Sequence, residues 1–348
     1  MSLWTKRHAL SVNDVYVAIC AEVASIVFDG KIWIVCDARV RNRYSCITEI
    51  LIFDPETEVF TKKFNANSEI RHDRIECLAA DEKNLYMWRS PFDGRQKDFH
   101  LFKLDRATMD WESVMTINRR GYFTSIVIIN QIMHILEVDE HPTNEVYLIH
   151  IDLQKREVVD IKTLVSTNGF GSWYGYLSFH NNKLFLMEAK KNLRNVYEIQ
   201  NDELKEIAHE ENSNESIHFF DENVSVSSDK TFKVHNFDFD TLSWLSEVNN
   251  PLWMKDYGDA CTIKSCVKAN GSIFLILRLK KKKSAFLLEL HKLDLHPTLA
   301  SISLADLTNR LSRKNAARKL DEVKEQLPNN LRTQLEKLVE WKKSAKRK

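Results

Sequence analysis

Three stretches of this chain share one phrase: an apolar strand runs into Asp, a short polar turn follows, and an aromatic residue comes after it. They are Phe53-Asp54-Pro55-Glu56-Thr57-Glu58-Val59-Phe60, Leu104-Asp105-Arg106-Ala107-Thr108-Met109-Asp110-Trp111 and Phe239-Asp240-Thr241-Leu242-Ser243-Trp244. Weaker copies stand at Ile151-Asp152-Leu153 and Ile199-Gln200-Asn201. A strand-rich unit that returns every roughly 40–50 residues cannot bury its apolar face alone, and stacking such units around an axis does so. The phrase therefore constrains the chain to an all-β propeller, a fold that more often binds partners than catalyses reactions.

Composition narrows what else the chain holds. Its 348 residues, 43% apolar and 28% charged, suffice for one large all-β domain and a small appendage. It contains no apolar run of about 18 residues, so no transmembrane helix and no membrane partner are expected. The opening Met1-Ser2-Leu3-Trp4-Thr5-Lys6-Arg7 lacks the apolar stretch of a secretory signal, which leads to the expectation of a cytoplasmic or nuclear protein. Cys20, Cys36, Cys46, Cys77, Cys261 and Cys266 include no Cys-x-x-Cys pair, so free thiols are expected and a zinc site is not. The net charge of +1 hides a segregation, because residues 301–348 carry 13 Lys/Arg against 6 Asp/Glu. Such asymmetry often marks an interaction element.

Six units can be laid out over residues 1–297. Their first turns fall at Asp29-Gly30, Asp81-Glu82-Lys83-Asn84, Asn130-Gln131, Asn181-Asn182, Glu222-Asn223 and Asn270-Gly271. Asn and Gly tolerate positive φ, which suits tight hairpins. The sixth unit has only three strands, the last near Leu290-His291-Lys292-Leu293. Residues 4–10 have the spacing of a fourth strand, and they are expected to complete that unit and remove an open edge.

The Asp-x-x-Thr-x-x-aromatic phrase and the Asp29-Gly30-Lys31-Ile32 turn resemble the kelch family over most of residues 1–297. The resemblance implies a six-bladed kelch-like β-propeller. Kelch repeats usually carry a Gly-Gly doublet after the second strand. This chain places Cys36-Asp37, Arg89-Ser90, Glu137-Val138 and Glu188-Ala189 there, and has 8 Gly in all. Trp-Asp endings of a seven-bladed wheel are absent.

After His296-Pro297 the apolar spacing becomes helical, so residues 298–348 are expected to form a small α-helical extension with a basic end. Leu304, Leu307 and Leu311 make one stripe, Leu320, Val323 and Leu327 a second, and, after Pro328, Leu331, Leu335 and Leu338 a third. The segments around Leu304 and Leu327-Pro328-Asn329-Asn330-Leu331 resemble a SOCS box. That resemblance implies docking to elongin C through Leu304 and to a cullin scaffold. Thr308 stands where the family usually has Cys, and Asn330 where it has Pro. The other reading is that the stripes dock the tail on its own propeller.

Propeller topology converts sequence position into location. Loops between second and third strands share a rim with the connections from one blade to the next. On this rim fall Arg39, Arg41, Arg43, Arg71, Arg74, Arg95, Arg119, Arg120, Tyr122, Trp173, Tyr174, Lys190, Lys191, Arg194, Trp253 and Tyr257, a basic set interleaved with aromatics. The opposite rim receives Asp29, Asp54, Glu56, Asp81, Glu82 and Asp105, and is acidic. Arginine forks pair with carboxylate or phosphate while aromatic rings add rigid contact, so an acidic or phosphorylated protein segment is the expected ligand. Single-stranded RNA suits the same chemistry and is the alternative. The sequence carries no H-E-x-x-H, G-x-S-x-G, P-loop or G-x-G-x-x-G motif, so neither an enzyme nor a cofactor is expected. His134 and His150 read as strand histidines of the core or surface, with no metal role.

Overall fold

Residues 32–36, Ile-Trp-Ile-Val-Cys, are all 5% exposed or less. Leu85, Tyr86, Met87, Trp88 and Arg89 are buried likewise, as are Ser272, Ile273, Phe274, Leu275, Ile276 and Leu277. A strand buried on both faces needs partners at both edges and a packed layer on each side. Sheets stacked face to face around an axis supply this for these second strands.

The computed structural model describes residues 3–10, 19–39, 46–64, 73–91, 98–119, 121–139, 145–166, 174–190, 193–200, 203–211, 217–221, 224–228, 232–249, 261–280 and 286–294. The chain divides into two units, Thr5–Lys292 and Met1–Trp4 with Leu293–Lys348. The helices expected over residues 298–348 lie outside the described residues, as do Leu304, Leu307, Leu311, Leu327, Pro328, Leu331 and Leu335.

The chain starts with β1 (Leu3–Leu10). The first sheet comprises β2 (Ile19–Phe28), β3 (Lys31–Arg39), β4 (Cys46–Asp54) and β5 (Val59–Phe64). The second holds β6 (Asp73–Ala80), β7 (Leu85–Pro91), β8 (Asp98–Asp105) and β9 (Asp110–Asn118). The third holds β10 (Tyr122–Ile129), β11 (Ile132–Asp139), β12 (Glu145–Asp152) and β13 (Glu157–Ser166). The fourth has β14 (Tyr174–His180), β15 (Lys183–Lys190), β16 (Leu193–Gln200) and β17 (Glu203–Glu211), and the fifth β18 (Ile217–Asp221), β19 (Val224–Ser228), β20 (Phe232–Asp238) and β21 (Ser243–Asn249). Last come β22 (Cys261–Ala269), β23 (Ser272–Lys280) and β24 (Phe286–Asp294). Together the described strands make six four-stranded sheets, and the sheet of β22, β23 and β24 takes β1 as its outer strand. The first strands β2, β6, β10, β14, β18 and β22 neighbour one another in that order, and β22 returns to β2. This cyclic arrangement of meandering antiparallel sheets is a β-propeller.

Turn chemistry explains the repeated Asp. Asp54 Oδ1 accepts the N–H of Glu56 at 2.9 Å and of Thr57 at 3.1 Å. Asp152 does the same for Gln154 and Lys155, and Asp105 for Ala107. Four residues after each Asp, a residue takes positive φ: Glu58, Met109 and Arg156. The Thr57 and Glu56 N–H groups hold the Asp54 carboxyl below its ordinary range, and Lys155 and Gln154 act similarly on Asp152. The repeated Asp is thus a turn cap. In the fifth sheet the capping residue is Asp238, two positions before the expected Asp240: its Oδ1 receives the N–H of Asp240 at 2.9 Å, and Leu242 has the positive φ. The corrected phrase puts the aromatic six residues after Asp, at Phe60, Trp111 and Trp244 alike. Paired positive φ at Asp29-Gly30, Asn130-Gln131, Asn181-Asn182 and Asn270-Gly271 identifies the two-residue hairpins as type I′.

The core lies in the seams between sheets. Tyr86, Trp88, Phe99 and Leu101 of the second sheet pack with Phe123, Met133, Ile135, Ile149 and Ile151 of the third. Leu136, Val146 and Leu148 of the third meet Leu177 and Leu186 of the fourth. Near the axis, Ser25 and Ser265 hydroxyls join the first and last sheets at 2.6 Å, and the Leu177 N–H donates to Ser125 Oγ at 2.9 Å. The outer strand β13 exposes Val159 and Ile161, but Asp160 accepts the Ile161 N–H at 2.8 Å. A capped N–H and a bulge on that strand blunt an edge that could otherwise add strands.

The third-to-fourth seam also carries a titrating group. His134 and His150 are register partners on β11 and β12. They share a face with Leu136 and Leu148 by strand alternation. Burial, and then the neighbouring His150, push the His134 pKa from 6.5 down to about 4. A folded-state value below the unfolded one gives stability that is present above pH 6.5 and lost as pH falls towards 4. The loss at pH 4.5 should be on the order of 2–3 kcal/mol. Urea midpoints at pH 7 and pH 4.5 should therefore differ less in His134→Phe than in the wild type. An equal difference in both proteins refutes this.

Candidate functional site

The strands of each sheet meander, so two kinds of connection end on opposite rims. Turns from first to second and from third to fourth strands share the acidic rim, and the Asp-capped turns and type I′ hairpins described above lie there. Connections from second to third strands, and from sheet to sheet, leave from the other rim. Arg39, Arg74, Tyr122, Tyr174 and Lys190 stand at strand ends on this second rim. Arg41, Arg43, Arg71, Arg95, Arg120, Trp173, Lys191, Trp253 and Tyr257 lie outside the described residues.

Two of the arginines read as ligand contacts have internal partners. Arg119 Nε donates to Glu137 Oε2 at 2.6 Å, and its guanidinium lies 4.9 Å from the Tyr147 ring centroid. Glu137 is 1% exposed and also accepts the Gly121 N–H at 2.9 Å. The carboxylate of the third sheet thereby holds the connection arriving from the second. A buried carboxylate satisfied by both a guanidinium and a backbone N–H is a strong tie. Arg119 thus acts first as part of this tie, with about a quarter of its side chain, 24%, left exposed.

Arg194 corrects the sequence reading more sharply. It is 1% exposed, 3.5 Å from Glu210 Oε2, with its guanidinium 5.5 Å from the Trp244 ring centroid. Strand alternation puts it on one face of β16 with Val196 and Glu198, so it points into a seam and not onto the rim. Arg89 is buried in the same way, with Nη1 3.0 Å from Thr48 Oγ1 of the neighbouring sheet.

The fourth sheet holds a polar chain that sequence reasoning missed. Asn195 Nδ2 donates to Glu188 Oε2 at 2.9 Å and to the Tyr197 hydroxyl at 2.8 Å. The Tyr197 hydroxyl donates to the same Glu188 oxygen at 3.1 Å. Burial, and then the Glu188 charge, push the Tyr197 phenol well above its ordinary value, so it stays a donor. Asn195 Oδ1 is then left to accept from His209 Nδ1 at 3.0 Å. That bond requires a proton on His209 Nδ1.

Glu137, Glu188 and Arg89 are buried on the second strands β11, β15 and β7. The sequence signal was therefore present: large polar residues stood within otherwise apolar strands. Their partners, on other strands and connections, were not visible. Among the described residues, no group of three or more His, Cys, Asp and Glu side chains is placed to hold a metal ion.

No protein-family model matches the chain, and no curated protein matches it. Among solved structures it is similar to the β-propeller domain of the Trilobed protease from Pyrococcus furiosus, with 12% identity over 75% of this chain and 79% of that one, at a TM-score of 0.41. It is also similar to Pyrococcus horikoshii acylaminoacyl peptidase, with 13% identity, 78% of this chain covered and a TM-score of 0.41. The match spans 45% of that peptidase, so less than half of its length is represented. The propeller assignment rests on the sheet order and the ring of first strands.

Proposed function

We propose that this chain is a protein-binding module, a six-bladed kelch-like propeller whose basic rim captures an acidic or phosphorylated segment. The observation that carries the reading is the contrast between rims. On the acidic rim, the turns after Asp54, Asp152 and Asp238 are short and have N–H groups satisfied by their own Asp caps. The other rim gathers the ends of strands that lead into Arg41, Arg43, Arg95, Arg120, Trp173 and Lys191. Loops held by a rigid scaffold are where recognition residues concentrate, and guanidinium–phosphate pairs favour this ligand class. Under this reading the C-terminal segment links the propeller to a larger complex, as the receptor of an elongin–cullin ubiquitin ligase would.

The test is fluorescence anisotropy with a set of acidic and phosphorylated peptides, using the wild type and an Arg41→Glu/Arg43→Glu/Arg95→Glu/Arg120→Glu variant. The wild type should bind at least one peptide, and the variant at least about tenfold more weakly. Equal affinities overturn the rim assignment, and steeply salt-dependent binding to RNA alone replaces the ligand class. Recovery of elongin C with the intact chain, and its loss in Leu304→Asp, supports the ligase version. No recovery rejects that version and leaves the rim test standing.

A further inference from the structure

We infer that His134 and His150 form a two-histidine site for a divalent transition-metal ion, on the face of the third sheet that meets the fourth. The two residues are direct register partners on adjacent antiparallel strands. Their ring centroids are 4.7 Å apart and the rings are tilted by 67°. Two imidazoles bound to one ion through metal–nitrogen bonds of about 2.0–2.1 Å have centroids roughly 4.5–5.5 Å apart. The ring separation therefore matches that of two imidazoles sharing one ion.

Two further observations favour an ion at this place. His134 Nδ1 is buried and has no hydrogen-bond partner among the described residues. A ring nitrogen kept from water without a partner is costly, and a metal bond satisfies it. Asp160 is the register partner of His150 on β13. Its carboxylate is engaged by the Ile161 N–H and lies 3.3 Å from Lys162 Nζ, so it adds negative charge nearby without serving as a ligand.

The protein supplies two donors. Such a site is modest in affinity and follows the general order in which Cu²⁺ binds imidazole more tightly than Zn²⁺. It is independent of the proposed peptide-binding rim, and neither result bears on the other.

The test is a titration of the full chain with Cu²⁺ alone and with Zn²⁺ alone, in a weakly coordinating buffer near pH 7.5, followed by calorimetry and by electron paramagnetic resonance for Cu²⁺. The wild type should show one ion bound through two nitrogens. His150→Phe and His134→Phe should each weaken that binding at least tenfold while keeping the strand circular-dichroism spectrum. If His134→Phe fails to fold, His150→Asn decides alone. Equal Cu²⁺ affinity in the wild type and a folded His150 variant overturns the inference, as does the absence of a two-nitrogen signal in the wild type.

Discussion

Trp88→Ala is expected to lower the free energy of unfolding by about 3–5 kcal/mol. Trp88 is fully buried on β7, the second strand of its sheet, yet its contacts reach into the next sheet. Its ring meets Phe123 edge-on at 5.3 Å, and its indole N–H points to Met133 Sδ at 3.1 Å. Phe123 in turn stacks on Phe99 at 4.1 Å, so the cavity would open at the centre of an aromatic cluster drawn from both sheets. Interiors packed at crystal-like density relax only partly around such a void. Trp88→Phe keeps most of the volume and loses chiefly the N–H contact, so about 1–2 kcal/mol is expected. Urea unfolding followed by far-ultraviolet circular dichroism measures both. An alanine variant within about 1 kcal/mol of the wild type would show that this seam does not hold the two sheets together.

The repeat was readable because its chemistry is local. An Asp that caps its own turn, a residue four places on with positive φ, and an aromatic two places further are all set by neighbouring residues. The fifth copy slipped by two because Phe237-Asp238-Phe239-Asp240 offers two equivalent Asp residues in alternation. The positive φ at Leu242 and the Asp240 N–H bond to Asp238 tell which of them caps. The seams were not readable, since each depends on pairing between strands. Arg194 looks like a rim residue from its position after a loop, yet strand alternation turns it inward with Val196. His134 and His150 looked like isolated histidines until the register of β11 and β12 put them side by side. A carboxylate in the apolar run of β11 was visible at Glu137, but its partners Arg119 and Gly121 sit 16 to 18 residues away, on the connection from the preceding sheet.

That last tie leads to the second large effect. Gly121→Ala is expected to cost about 2–4 kcal/mol. A Cβ on Gly121 would lie 2.4 Å from the Val138 carbonyl oxygen, 2.6 Å from Glu137 Cγ and 2.8 Å from Glu137 Oε1. The first of these atoms is backbone on β11, where Val138 is the register partner of Tyr122, so it cannot swing aside as a side chain could. Relief requires the connection to move off the sheet. Movement would stretch the Gly121 N–H bond to Glu137 and disturb the Arg119 pair, leaving a carboxylate that is 1% exposed short of partners. A double-mutant cycle separates the two sources of cost. In a Glu137→Ala background the clashes with Cγ and Oε1 vanish and there is no tie left to break, so Gly121→Ala should cost clearly less there, though not zero, because the Val138 carbonyl remains. Equal costs in both backgrounds would mean that the backbone clash acts alone and that the carboxylate does not hold the connection. Arg120 stands between the two anchored residues in sequence. If the rim binds an anionic segment through it, Gly121→Ala should also weaken that binding under conditions where the variant remains folded.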